Sequence, residues 1–168
     1  MRRGFLQSSS GVAAVEFAIL AFPFFLIIFA ILETSLVFLG ELTLNRSVDR
    51  MARMVRTGEV ALSKLDATAF RSKLCDDVGF LMDCSKLQID LKTYASYADF
   101  PQAHPLQSGV LNTADFGYTA GAPSTIMALR VYYEWPVYTD MMHRFLSDLK
   151  DGNHLIASVA GFETEPFE

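Results

Sequence analysis

The run from Val12 to Leu39 constrains this chain most: 28 residues in which the ionisable side chains are Glu16 and Glu33 alone. As a helix it would be roughly 42 Å long, more than the roughly 30 Å hydrocarbon core of a bilayer, so it reads as a single membrane-spanning helix. Pro23 lies inside the run and cannot donate to the carbonyl of Ile19, which predicts a kink or local unwinding there. Bilayer helices tolerate such a break where neighbouring groups re-satisfy the backbone. The carboxylate of Glu16 is the feature that needs explaining. An acid near the bilayer centre costs roughly 2.5–3.5 kcal/mol, so an intramembrane Glu is by default a functional residue with a partner to be named.

The rest of the chain is ordinary by comparison. At 168 residues, 51% hydrophobic and mean hydropathy +0.26, the chain is too apolar for a soluble protein of its length, and the excess is localised in the one run. Beyond it, apolar residues alternate or recur at helical spacing among charges, as in one folded domain, with no second span. The net charge of −5 comes without a Lys/Arg block or a basic stretch interleaved with aromatics, which argues against nucleic acid as a partner.

Cys75 and Cys84 flank Asp-Asp-Val-Gly-Phe-Leu-Met-Asp in a turn-like connection downstream of the span. They read as a disulfide in an oxidising compartment, the alternative being two buried thiols. His104, His143 and His154 form no metal-ligand spacing with them, so no metal is expected. No Gly-rich phosphate loop, Gly-x-Ser-x-Gly elbow or His-Glu-x-x-His occurs, and Asp76 with Asp77 or Glu163 with Glu165 read as solvated acidic pairs. The expectation is a protein that is no enzyme and needs no cofactor.

The N-terminus admits several readings. A cleavable secretory signal fits Arg2 and Arg3 before an apolar run, but such a core is about 7–15 residues long and carries no early acid. A twin-arginine export signal fits Arg2-Arg3-Gly4-Phe5-Leu6, but the segment behind it is too apolar and too long. A third reading is a short polar leader, residues 1–11, cut at the membrane face so that Val12 becomes the N-terminus and Glu16 the fifth residue. Cleavage would create an α-ammonium on Val12, which Glu16 of a staggered neighbouring helix can neutralise at less cost than burying either charge alone. A blander alternative leaves Glu16 at the headgroup boundary of an uncleaved anchor.

Gly11, Val12 and Glu16 occupy the places of the prepilin processing site, and the resemblance extends further. Gly11-Val-Ala-Ala-Val-Glu-Phe-Ala-Ile-Leu20, then Phe22-Pro23, then Ile31-Leu32-Glu33, resembles the opening of TadE-like pseudopilins of the tight-adherence (Flp, type IVc) pilus system. The segment Asp49-Arg-Met-Ala-Arg-Met-Val-Arg56, the cysteine pair and the closing Ala160-Gly-Phe-Glu-Thr-Glu-Pro-Phe167 are also similar, with Thr164 where the family pattern has Asn. Residues 100–124 match nothing in it.

The resemblance implies a minor pseudopilin in the bacterial inner membrane with a periplasmic head. It implies cleavage by a prepilin peptidase between Gly11 and Val12, and recognition by peptidase and assembly partners through Glu16 and Phe17. Its partners would be the membrane, other pilins or pseudopilins and the pilus assembly machinery, and its role surface adherence.

The downstream pattern predicts an α+β fold in which a long N-terminal helix packs on a small antiparallel sheet. Leu44, Val48, Met51, Ala52 and Val55 make an amphipathic helix continuous with the span, with Arg46, Arg50 and Arg53 as a basic stripe read as solvated, with local pairs such as Asp49 to Arg53. Thr57-Gly58 ends it, and Ser63 and Asp66 open a helix running to about Asp76 with Leu65, Phe70 and Leu74 buried. Strands are expected around Leu87, Ile89 and Leu91; around Met127, Leu129, Val131, Tyr133 and Trp135; and around Leu155, Ala157 and Val159, with a short helix over 140–149. Tyr133 and Trp135 read as core.

The expected organisation is a leader over 1–11, a transmembrane helix over 12–40 and a head over 41–168. Two basic residues before the span against five between Gly40 and Lys64 would place the head in the cytoplasm. The cysteine pair and the leader resemblance favour export instead. The rival reading is an uncleaved single-pass envelope protein with a partner-binding domain.

Overall fold

In the computed structural model, which describes residues 9–101 and 103–167, one helix, α1, runs unbroken from Ser9 to Arg56. Most of the expected leader, Met1 to Ser8 with both arginines, lies outside the described residues. The helix continues through Pro23, so the local unwinding expected there does not occur. It also continues through Gly40, where the apolar run gives way to mixed sequence. Long and apolar enough to cross a membrane, it lies open from Gly11 to Leu32, where no residue is fully buried.

Burial begins on one stripe of α1: Glu33, Val37, Gly40, Leu44, Ser47, Val48, Met51 and Val55. Steps of three and four keep these residues on one face, and that face carries the head. At the end of the stripe Gly58 takes a left-handed conformation, φ +77°, and the chain turns into the single turn α2 (Glu59–Leu62). Asp66 then caps α3 (Ala67–Val78) by accepting from the backbone N–H of Ala69 at 2.7 Å. Phe70, Leu74 and Val78 turn inward against α1, while Leu65, just before the helix, is half-buried.

The sheet has three antiparallel strands in the order β1 (Gln88–Tyr94), β4 (Ile126–Trp135), β5 (His154–Glu163). The expected α+β fold, a long apolar helix on a small antiparallel sheet, is what forms. Ile89 pairs with Val131 and Leu91 with Leu129, so the alternating apolar residues of β1 and β4 share the face that meets α1. Tyr133 and Trp135 are both 5% exposed within that core.

Further details differ from the sequence reading. On β5 it is Ile156 and Phe162 that join the α1 core, while Leu155 and Ala157 face the other way and Val159 is exposed. Both alternations of β5 are apolar, so periodicity alone could not choose between them. The basic stripe is also less free than expected. Arg50 pairs with Asp77 of α3, and Arg56 with Glu165 at 3.4 Å, so the arginine pairs of α1 among the described residues run between elements, and Asp49 to Arg53 is not one of them.

The sheet's second face is covered as well. Residues 100–124 contribute the hairpin β2 (Leu106–Gln107) and β3 (Val110–Leu111) and the ring of Phe116, which stacks on Tyr132. Beneath them Asp90 and Arg130 stand opposite each other on β1 and β4 and are buried, with the Arg130 Nε and Nη2 both donating to Asp90 Oδ2. The N–H of Gly117 satisfies the other oxygen of Asp90 at 2.9 Å. Between β4 and β5 a short helix, α4 (Asp140–Leu146), sits at the foot of the head.

Candidate processing and assembly site

Gly11, Val12, Glu16 and Phe17 stand together in the opening turns of α1, and all are exposed, Val12 and Phe17 by 59% and 71%. The Gly11–Val12 bond lies within the helix as described from Ser9. Val12 and Glu16, four residues apart, share a helix face and stand about 6 Å apart along the axis. Among the described residues Glu16 has no hydrogen-bond or ion-pair partner.

Glu33, in the same apolar run, is only 6% exposed. Its Oε1 accepts from the backbone N–H of Tyr138 and from that of Thr139 at 3.3 Å, and its Oε2 accepts from the Thr139 hydroxyl. Sequence reasoning gave Glu33 no role beyond its place in the motif. Its donors lie 105 and 106 residues away, a pairing that no local pattern announces.

Cys75 of α3 and Cys84, in the single 3₁₀ turn Cys84–Lys86, are joined as a disulfide with their Cα atoms 5.8 Å apart. It ties α3 to the start of β1, and closing a loop of this length stabilises a fold by roughly 2–3 kcal/mol. The three histidines are dispersed. His154 lies between Glu41 and Asp148, His143 Nδ1 meets the Gly152 carbonyl at 2.8 Å, and His104 packs edge-on to Tyr132. Among the described residues no group of three or more His, Cys, Asp or Glu side chains is placed to hold a metal ion.

Among the described residues, four groups of the head have their protonation displaced by the fold, each with a structural cause. The Ser85 hydroxyl and N–H hold the Asp83 carboxyl below its ordinary value. Burial, aided by the charge of Asp66, pushes the Tyr118 phenol up, and burial does the same to Tyr132. Burial is the largest single influence on Arg130 and would lower it, but the hydrogen bond to Asp90 together with the charges of Tyr132, Asp90 and Tyr94 outweighs it and holds the guanidinium above its ordinary value.

The closing segment of the chain docks on the end of α1. Thr164, 2% exposed, accepts from the Thr125 N–H at 2.8 Å and donates to the Ala122 carbonyl at 2.6 Å. The N–H of Glu165 donates to the Arg56 carbonyl at 2.8 Å, and the Phe167 ring lies against Gly58. A side chain at Gly58 would collide with that ring.

Comparison with known proteins agrees with the N-terminal pattern: residues 11–53 match the family described as TadE-like protein. No match was found among curated proteins or among solved structures. The matched segment begins at Gly11, contains Glu16, Phe17 and Glu33, and ends within the basic stripe.

Proposed function

We propose that this chain, whose residues 11–53 match the TadE-like family and so suggest a part in the tight-adherence pilus system, is a minor pseudopilin of that system. In this reading a prepilin peptidase cuts after Gly11, α1 crosses the inner membrane once, the head stands in the periplasm, and the processed chain joins other pilins or pseudopilins in assembly for surface adherence. It is a peptidase substrate and a structural partner, not a catalyst.

The observation that carries this reading is the contrast between the two acids of the apolar run. Glu33 is saturated by donors of its own head, whereas Glu16 projects from an exposed apolar helix with no partner among the described residues. A carboxylate in that position is stabilised by a cation from outside the chain. The ammonium that cleavage would create on Val12 of a neighbouring subunit has the right charge at the right depth. The exposure of Gly11 and Val12 supports access by the peptidase.

The test is the intact mass of the protein from cells with and without the peptidase. Loss of the mass of residues 1–11 only in peptidase-positive cells is expected, and a chain still beginning at Met1 there removes the processing claim. In a second arm, Glu16→Gln is expected to leave the head folded and reduce incorporation into pilus material. Unchanged incorporation removes the pairing claim.

A further inference from the structure

We infer that Tyr138 and Phe145, flanking and ending the short helix α4, form an aromatic foot that rests in the lipid headgroup layer around the span. The inference rests on the reading of α1 as a membrane helix and adds a second, peripheral contact of the head with the bilayer.

The argument begins with length. The stretch of α1 without a fully buried residue, 11–32, is 22 residues, or roughly 33 Å of helix, close to the roughly 30 Å of a hydrocarbon core. Immediately above it, burial starts at Glu33 and Val37. The outer edge of the hydrocarbon therefore falls at the level of Glu33. The headgroup layer takes up roughly the next 5–7 Å, about one turn of helix.

Glu33 fixes the height of the foot at its Tyr138 end. Its carboxylate holds the backbone N–H groups of Tyr138 and Thr139. Thr139 also lines an apolar groove with Phe29 and Ala30, which stand four and three residues below Glu33 on the same face of the span, and with Leu26 and Phe25 beneath them. The approach to α4 thus lies at the edge of the lipid, not above it.

The exposed side chains there are those an interface favours. Tyr138 is 75% exposed and Phe145 77%, although the rest of the region is anchored: Met142 is 9% exposed and Leu146 packs on the main core. Arg144, beside Phe145, is also exposed and can meet lipid phosphates. Aromatic residues with a polar edge or a cationic neighbour concentrate at the membrane–water boundary. In water two such rings would be an unpaired apolar surface; in the headgroup layer they are solvated.

The test uses the full-length chain in phosphatidylcholine vesicles whose acyl chains carry bromine, a contact quencher of tryptophan. The chain has one tryptophan, Trp135, buried against α1 at the level of Gly40. The unsubstituted chain should therefore keep its emission. Phe24→Trp reports on the span and should be quenched most by bromines deep in the bilayer. Tyr138→Trp and Phe145→Trp should each lose about half of the added emission, most with bromines near the headgroups.

If Phe24→Trp is quenched while both foot variants behave like the unsubstituted chain, the foot is refuted and the span stands. If Phe24→Trp is itself unquenched, the span fails and the foot with it. Both foot positions are exposed, so the substitutions leave the core untouched.

Discussion

Glu16 and Glu33 are the same side chain in the same apolar run, and what separates them is the reach of the head. Two backbone N–H groups and a hydroxyl converge on Glu33, so its charge is satisfied without any other molecule. Replacing it with alanine would leave those donors unmet beside apolar helix. Hydrogen bonds to a charged group are worth about 1.5–3 kcal/mol, so Glu33→Ala is expected to destabilise the head by about 2 kcal/mol or more in detergent unfolding. Amide exchange at Tyr138 and Thr139 should accelerate in parallel. Glu33→Gln, which keeps one acceptor oxygen, should lie between alanine and the unsubstituted chain; exchange unaltered in both variants would contradict the role given to this carboxylate.

At the scale of elements, the helix–sheet contact depends on the absence of a side chain at Gly40. A Cβ there would stand 2.8 Å from Trp135 Cζ3 and 3.0 Å from Ile156 Cδ1, both in the core beneath α1. Gly40→Leu must lift the helix from the sheet or displace the indole, an overpacking that costs typically 1–3 kcal/mol. The expected readout is a red shift in the emission of Trp135 together with lowered thermal stability. An unshifted spectrum would mean that the contact is looser than the geometry indicates.

Gly40 also shows where the sequence was legible and where it was not. The helix, the alternating face of β4 and the pairing of Cys75 with Cys84 follow from local periodicity or spacing, and all are present; the cap expected at Ser63 is instead supplied three residues on by Asp66, because Ser63 closes α2 and donates back to the Glu59 carbonyl. The glycine at the end of the apolar run reads as a boundary when only the sequence is in view. In the fold it is a close approach inside an unbroken helix. The face of β5, the burial of Arg130 on Asp90 and the covering of the second sheet face by residues 100–124 depend on contacts far apart in sequence. At the candidate site, Gly11, Val12 and Glu16 were legible because their spacing is itself the signal. Glu33 escaped because its donors come from the connection between β4 and β5.

For the whole molecule the open question is which side of the membrane the head occupies, and charge and chemistry point in opposite directions. Arg46, Arg50, Arg53, Arg56 and Lys64 follow the span, against Arg2 and Arg3 before it, and a count of basic residues would keep the head in the cytoplasm. That rule is strongest for short loops; segments beyond about 60 residues cross largely regardless of charge, and 135 residues follow Glu33. The Cys75–Cys84 bond belongs to an oxidising compartment, whereas cytosolic thiols are kept reduced. The disulfide can therefore serve as a compartment reporter. In cells quenched with acid and treated with a thiol-alkylating reagent, both cysteines should resist alkylation until a reductant is added. External protease applied to spheroplasts should remove the head while sparing α1 within the membrane. Free thiols and a protected head would place the domain inside and favour the charge count. With the head outside, Glu16 and Val12 lie toward the cytoplasmic face, about 25 Å and about 32 Å along the helix from Glu33, and the proposed site of processing and the proposed foot of the head are then on opposite sides of one bilayer.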